Sequence, residues 1–377
     1  MILVEDCELY TPQAMGLGKV LISGGTIAAV GTDFGPPPGL DVEVISAKGL
    51  LAIPGLIDGH VHIAGAGGEG GPATRTRELA AAELLNAGIT TAIGCLGTDG
   101  LTRTVASLLM KAKGLRQEGL SCWIYTGSYQ VPPPTITGEV ATDLCYIEEI
   151  IGVGEIALAD HRSSSPGVLD LVRLAKLTRL GGMLSGKVGI VHVHMGDSPR
   201  PFELIEEAVA ASELGFKQFY PTHVNRNRHI FEDAKKYGRE GFLDITSGIQ
   251  PTPGGDEIEP AKALAGLLAA GVPLDHLTMS SDAGGSLPCF DEQGHLTGME
   301  VGMPGTLLQE LRNLVDREGL PLEKALRTVT ANPAAILKLP GKGSLAAGMD
   351  ADLLLVDRGL AIRYAIAGGR VTVGHGS

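Results

Sequence analysis

A chain of 377 residues exceeds one ordinary domain and fits one large barrel with a small appendage. With 44% hydrophobic and only 19% charged residues it can bury a sizeable core, which excludes a disordered chain. A net charge of −13 argues against nucleic acid as a partner, since phosphates need a basic face, and no apolar stretch reaches the ~20 residues of a membrane-spanning helix.

The first residues, Met1-Ile2-Leu3-Val4-Glu5-Asp6, lack the basic region and apolar core of a secretion signal. The five cysteines, Cys7, Cys95, Cys122, Cys145 and Cys289, are odd in number and widely spaced, and they read as reduced thiols. A cytoplasmic protein without membrane or nucleic-acid partners is expected. Residues 1–53 read as short strands, with an apolar pair around the turn Gly24-Gly25-Thr26 and an alternating run Leu40 to Ile45. Residues 342–377 repeat that style in Ala351 to Val356 and Val371-Thr372-Val373. The two terminal β segments are expected to meet in a small β-sandwich.

Between them, residues 54–341 alternate in another rhythm. A helical pattern over Ala73 to Asn86 precedes the β-type run Ile89 to Ile93, and Arg103 to Glu118 precedes Cys122 to Tyr125. The alternation continues through Val188–His194, Phe202–Leu214, Lys217–Tyr220, Phe231–Arg239, Phe242–Ile245, Ala261–Ala270 and Leu277–Ser280. Repeated about eight times, this predicts an α/β fold, a (β/α)₈ TIM-type barrel whose functional residues stand at the C-terminal ends of the strands.

Candidate residues collect at those ends. The apolar run Gly49 to Ile53 reads as a buried strand that leads into Pro54-Gly55-Leu56-Ile57-Asp58-Gly59-His60-Val61-His62. Side chains alternate along an extended chain, so His60 and His62 point the same way, as a two-pronged metal clamp. The Gly-rich loop Gly65 to Gly71 follows, carrying Glu69. Further along, Glu155 lies in an apolar strand before Asp160-His161-Arg162-Ser163, His194 closes another strand, His223 another, and Asp282 a fifth. His192, two residues before His194, lies deeper and reads as core.

Together these residues resemble the metal set of the amidohydrolase superfamily. The segments Gly67-Gly68-Glu69, Gly97-Thr98-Asp99, Asp160-His161-Arg162-Ser163, His194-Met195-Gly196-Asp197-Ser198, Pro221-Thr222-His223-Val224-Asn225-Arg226-Asn227 and Ser280-Ser281-Asp282 are similar to its isoaspartyl (β-aspartyl) dipeptidase family. One position departs: Glu155 stands where that family typically has a lysine carbamylated by CO₂, and a glutamate offers the same pair of oxygens on a shorter arm. The resemblance implies two divalent ions per chain, zinc being expected, with His60, His62 and Asp282 on one, His194 and His223 on the other, and Glu155 between. Two such ions lower the pKa of a shared water until it is hydroxide at neutral pH. It implies Asp282 as the proton carrier and Tyr129 as a hydroxyl that polarises the scissile carbonyl. For the substrate it implies Glu69 on the ammonium, Arg162 and Arg226 on the carboxylates, and hydrogen bonds from Thr98, Ser286 and the backbone of Gly67. It also implies a small dipeptide substrate and a homo-oligomer. Cyclic amide hydrolases of the dihydroorotase or hydantoinase kind, N-acyl amino-acid deacylases, and a barrel that binds without catalysis are the alternatives.

Overall fold

The computed structural model describes residues 1–252, 255–290 and 296–374. In chain order the N-terminal strands are β1 (Ile2–Tyr10), β2 (Ala14–Ser23), β3 (Thr26–Gly31), β4 (Glu43–Ser46) and β5 (Leu51–Pro54). The strands of the middle are β6 (Leu56–Val61), β7 (Ile89–Gly94), β8 (Ser121–Thr126), β9 (Ile150–Leu158), β10 (Ile190–Met195), β11 (Phe219–Thr222), β12 (Leu243–Thr246) and β13 (Leu277–Ser280). A hairpin β14 (Ser286–Phe290) and β15 (Leu296–Val301) follows, and the chain closes with β16 (Leu353–Val356), β17 (Ile362–Ala367) and β18 (Arg370–Gly374).

The two ends do meet. β5 pairs antiparallel with β16, Leu51 opposite Val356 and Pro54 opposite Leu353, and the strands of both ends join one eight-stranded sheet. Ile2, Val4, Cys7, Leu9, Val20 and Ile22 from one end, with Leu353, Leu355 and Ile366 from the other, form its own apolar core. Gly24 and Gly25, at φ 59° and 88°, make the tight turn between β2 and β3 that positive φ requires.

Strands β6 to β11 lie parallel in sequential order, and β12 pairs with β13. Val224 N–H donates to Asp244 O at 3.5 Å across the first gap, and His62 N–H donates to Ala283 O at 2.8 Å across the second, so eight strands close into a barrel. The helices return on its outside, as the alternation requires. Ile57, Ile93, Tyr125, Ile151, Ile190 and Tyr220, one from each of β6 to β11, cluster with Leu337 and Leu339 and fill the interior from below. That plug leaves the C-terminal mouth for polar groups. No helix among the described residues is long and apolar enough to cross a membrane.

Three expectations need correction. The run before the paired histidines is not one strand but two, β5 in the terminal sheet and β6 in the barrel, with Gly55 between them. A Cβ on Gly55 would collide with the side chain of Thr90, so the chain crosses there where only hydrogen fits. Ala73 to Asn86 is helical only over Pro72–Thr74 and Ala81–Asn86. Between these, the backbone pairs outward: Gly67 bridges to Arg75, Thr76 N–H donates to Ala66 O, and Arg103 takes the carbonyls of Ala64, Ala66 and Thr76. The long helix Val168–Ser185 was not foreseen. Gly181 and Gly182 weaken its local signal, yet a Cβ on Gly182 would lie 2.5 Å from Gly189 Cα. Close packing fixes both glycines and overrides propensity. Cys7, Cys95, Cys122 and Cys145 are free thiols, and the side chain of Cys289 lies outside the described residues.

Candidate metal centre and active site

The mouth collects the candidate ligands from five strand ends, those of β6, β9, β10, β11 and β13. His60 is within β6 and His62 just beyond it, and their Nε2 atoms converge to 3.4 Å, as the alternation of an extended chain demands. His223, directly after β11, and Asp282, two residues after β13, have φ of 61° and 56°. Left-handed backbone at a side chain with a Cβ costs of order 1–3 kcal/mol and clusters where function requires it. Here the strain turns both side chains inward at the top of the barrel.

Glu155 organises the centre. Its Oε1 lies 3.3 Å from His62 Nε2 and 3.7 Å from His60 Nε2, while its Oε2 lies 3.1 Å from His194 Nδ1 and 3.5 Å from His223 Nε2. Asp282 Oδ1 lies 3.2 Å from His62 Nε2 and 3.5 Å from His60 Nε2, and it is buried without a hydrogen-bond partner. A cation ~2.1 Å from tetrahedral donors separates them by about 3.4 Å; His60 Nε2, His62 Nε2 and Glu155 Oε1 lie 3.3–3.7 Å apart, and Asp282 Oδ1 lies 3.2 and 3.5 Å from the two rings. The set therefore fits a divalent ion, and Glu155 presents its second oxygen to a second group of donors with His194 and His223.

The charges agree. Burial alone would raise the Glu155 carboxyl, but the imidazoles of His60, His194, His223 and His62 hold it well below the usual carboxylate range. Burial also opposes the ionised form of Asp282, and His60 and His62 hold that carboxyl far below its ordinary value. Burial lowers His60 and His62, yet Cys95, Glu155 and Asp282 push both well above the ordinary imidazole range. A buried group of anions facing ring nitrogens calls for cations, and protons compete there with metal for the same lone pairs. Burial takes His223 down to about 4, keeping its ring neutral.

The outer side of the mouth carries the polar candidates. Arg162 reaches Glu69 Oε1 and Thr98 Oγ1, each at 3.4 Å, and Ser286 Oγ lies 3.3 Å from both Glu69 oxygens. Gly67, at φ 77°, runs so close to Thr74 O that a Cβ would collide with it. Arg226 sits beside His194, its Nη1 3.1 Å from Nε2 and 2.9 Å from Met195 O. The Tyr129 hydroxyl lies 2.9 Å from His194 Nδ1. Burial and the nearby Glu155 raise its pKa well above the ordinary phenol range, so it remains a donor.

Three residues here were not assigned a role from sequence. Asp160 holds Arg162 in a two-pronged pair, Nε to Oδ1 at 2.9 Å and Nη2 to Oδ2 at 2.8 Å, and its Oδ2 also lies 3.1 Å from His194 Nε2. The Asp-x-Arg spacing at a strand end was the signal for it. Cys95 Sγ lies 3.8 Å from His62 Nδ1, a contact that adjacency in sequence does not reveal. His192, read as core, is fully buried, yet its Nε2 lies 2.7 Å from His60 Nδ1.

The chain is similar to known proteins along nearly its whole length. Residues 258–372 match the model of the amidohydrolase family. The β-aspartyl dipeptidase of the thermophilic, keratin-degrading Fervidobacterium islandicum AW-1, solved in complex with a β-Asp-Leu dipeptide, is 40% identical, with a TM-score of 0.91 over 99% of this chain and 97% of that one. A second structure of that dipeptidase is 38% identical, with a TM-score of 0.89 over the same shares. The dihydroorotase of Syntrophotalea carbinolica is 25% identical over 94% of this chain and 89% of its own. At 40% identity over 99% of its length, the chain belongs to the β-aspartyl dipeptidase family of the amidohydrolases.

Proposed function

We propose that this metal-dependent hydrolase cleaves the isopeptide bond of β-aspartyl dipeptides. The observation that carries the reading is the division of Glu155, with Oε1 beside His60 and His62 and Oε2 beside His194 and His223. In this reading His60, His62 and Asp282 would hold one divalent ion and His194 and His223 another, with one Glu155 oxygen offered to each set and zinc as the metal these ligands suit. Two ions held there supply Lewis acidity and a water acidic enough to be deprotonated at neutral pH. The barrel within residues 55–341 would be the catalytic body, and β1 to β5 with β16 to β18 the terminal β unit.

The chain's own groups do the rest. Asp282 accepts a proton from the attacking water at its carboxylate and delivers it to the leaving amine. The Tyr129 hydroxyl donates a hydrogen bond to the scissile carbonyl oxygen, which strengthens as negative charge develops there. A β-aspartyl dipeptide carries one ammonium and two carboxylates. Glu69 faces the ammonium; Arg162 and Arg226 face the carboxylates, each able to hold two oxygens in a planar fork. Thr98, Ser286 and the Gly67 backbone complete the hydrogen bonding. The dihydroorotase, allantoinase and L-hydantoinase relatives at 23–27% identity mark the competing reading, a cyclic amide as substrate. The Glu69–Arg162–Ser286 cluster favours a charged, open-chain dipeptide instead.

Zinc-loaded protein tested against a panel of β-Asp-Leu, dihydroorotate, hydantoin and an N-acetyl amino acid will turn over the first and leave the others essentially intact. Faster hydrolysis of either ring than of β-Asp-Leu would overturn the dipeptidase reading and retain only a metal-dependent amidohydrolase.

A further inference from the structure

We infer that His192 is a positioning residue for the metal centre, holding His60 in the tautomer that offers its Nε2 to a divalent cation. The inference rests on the metal centre proposed above and goes beyond it, because His192 touches neither substrate nor ion in that reading.

The relay begins at a carbonyl. His192 Nδ1 lies 2.9 Å from Tyr220 O, an atom that only accepts, so the proton of that contact is on Nδ1. A neutral ring then has a lone pair at Nε2. That lone pair lies 2.7 Å from His60 Nδ1, so the proton between the two rings belongs to His60 Nδ1. In the neutral ring that ligation requires, His60 Nε2 then carries the lone pair, and it is this atom that converges with His62 Nε2 at 3.4 Å, Asp282 Oδ1 at 3.5 Å and Glu155 Oε1 at 3.7 Å. A backbone carbonyl of β11 thus sets, through two rings, which nitrogen of β6 faces the centre.

The relay is held from every side. The His192 ring lies against Tyr125 at 4.7 Å and 22° and against Tyr220 at 5.0 Å. On the strand beside it, a Cβ on Gly154 would stand 2.8 Å from both His192 Cβ and O, so β9 runs against His192 at a distance only glycine allows. Ligating histidines generally donate their second N–H to a carboxylate, carbonyl or water, and loss of that partner costs about 10–100-fold in metal affinity. Here the partner is a second imidazole.

The test uses the full chain, stripped of metal and titrated with zinc against a competing chelator. His192→Phe keeps an aromatic ring between the two tyrosines and removes the acceptor; His192→Gln keeps an acceptor near Nε2. Zinc affinity of His192→Phe should fall about 10–100-fold for one ion, while His192→Gln retains most of it and the metal-free melting temperatures of both stay near that of the unaltered chain. Unaltered affinity in His192→Phe, or equal losses in both variants, would overturn the inference. If His192→Phe does not fold, nitrogen-15 spectra of histidine-labelled, unaltered protein decide: a proton on His192 Nδ1 with coupling across the N–H···N bond to His60 is expected, and a proton on His192 Nε2 overturns it. Unaltered protein that binds no divalent ion would refute the metal centre itself, a result distinct from affinity that is present but insensitive to His192.

Discussion

β-Asp-Leu will be hydrolysed and its α-linked isomer will not, with a ratio of kcat/KM of roughly 10²–10⁴. In the α isomer the ammonium sits on the carbon next to the scissile carbonyl instead of one carbon further along, while the side carboxylate stays two carbons away. A site that fixes Glu69 against Arg162 at 3.4 Å and anchors Arg226 on Met195 O at 2.9 Å cannot follow the displaced ammonium. At least one charge is left facing the wrong partner, and an unpaired buried charge costs about 3–5 kcal/mol, where each 1.4 kcal/mol is about tenfold. Arg226→Lys should lower kcat/KM for β-Asp-Leu about 10–100-fold, corresponding to the loss of a charged hydrogen bond of about 1.5–3 kcal/mol. A lysine cannot hold Met195 O and a carboxylate at once with a planar fork. Equal kcat/KM for the two isomers would remove the role assigned to Glu69 and both arginines.

Asp282→Asn will lower kcat about 10²–10⁴-fold, the span associated with a positioned proton-transfer group. The amide occupies nearly the same volume, and the backbone N–H of residue 282 still donates to His60 O at 3.2 Å, so the barrel closure survives. What disappears is the anionic oxygen at the converging Nε2 atoms of His60 and His62. The loss should therefore appear in kcat with an unchanged melting temperature of the metal-free protein. Retention of more than a tenth of kcat would separate Asp282 from proton transfer.

Much of this site was legible in the sequence because strand periodicity is a short-range property. His60 and His62 share a face through alternation alone, and a residue at the end of a barrel strand has only one place to point. The departure at Glu155 was visible for the same reason, since a carboxylate inside an apolar strand needs a partner. What escaped depends on neighbouring strands. The pairing of His192 with His60 crosses from β10 to β6 through the barrel interior, and the register beside it shifts between Val191 and Val193. Reading His192 as core was right about burial and silent about its hydrogen bond. Asp160 needed the fold of its own turn, which brings its carboxylate to Arg162 and His194 together. The segment between Pro72 and Asn86 had helical periodicity, but the carbonyls collected by Arg103 favour pairing with the Gly-rich loop instead.

Glu155 carries the account, and the most direct test is the zinc content of metal-free protein reconstituted with and without bicarbonate. A glutamate supplies its carboxylate from the chain, so loading should reach about two ions per chain at the same rate in both conditions, and Glu155→Gln should lose at least one of them. Loading that requires or is accelerated by bicarbonate, or two ions retained by Glu155→Gln, would contradict the assignment of Glu155 as the joining carboxylate.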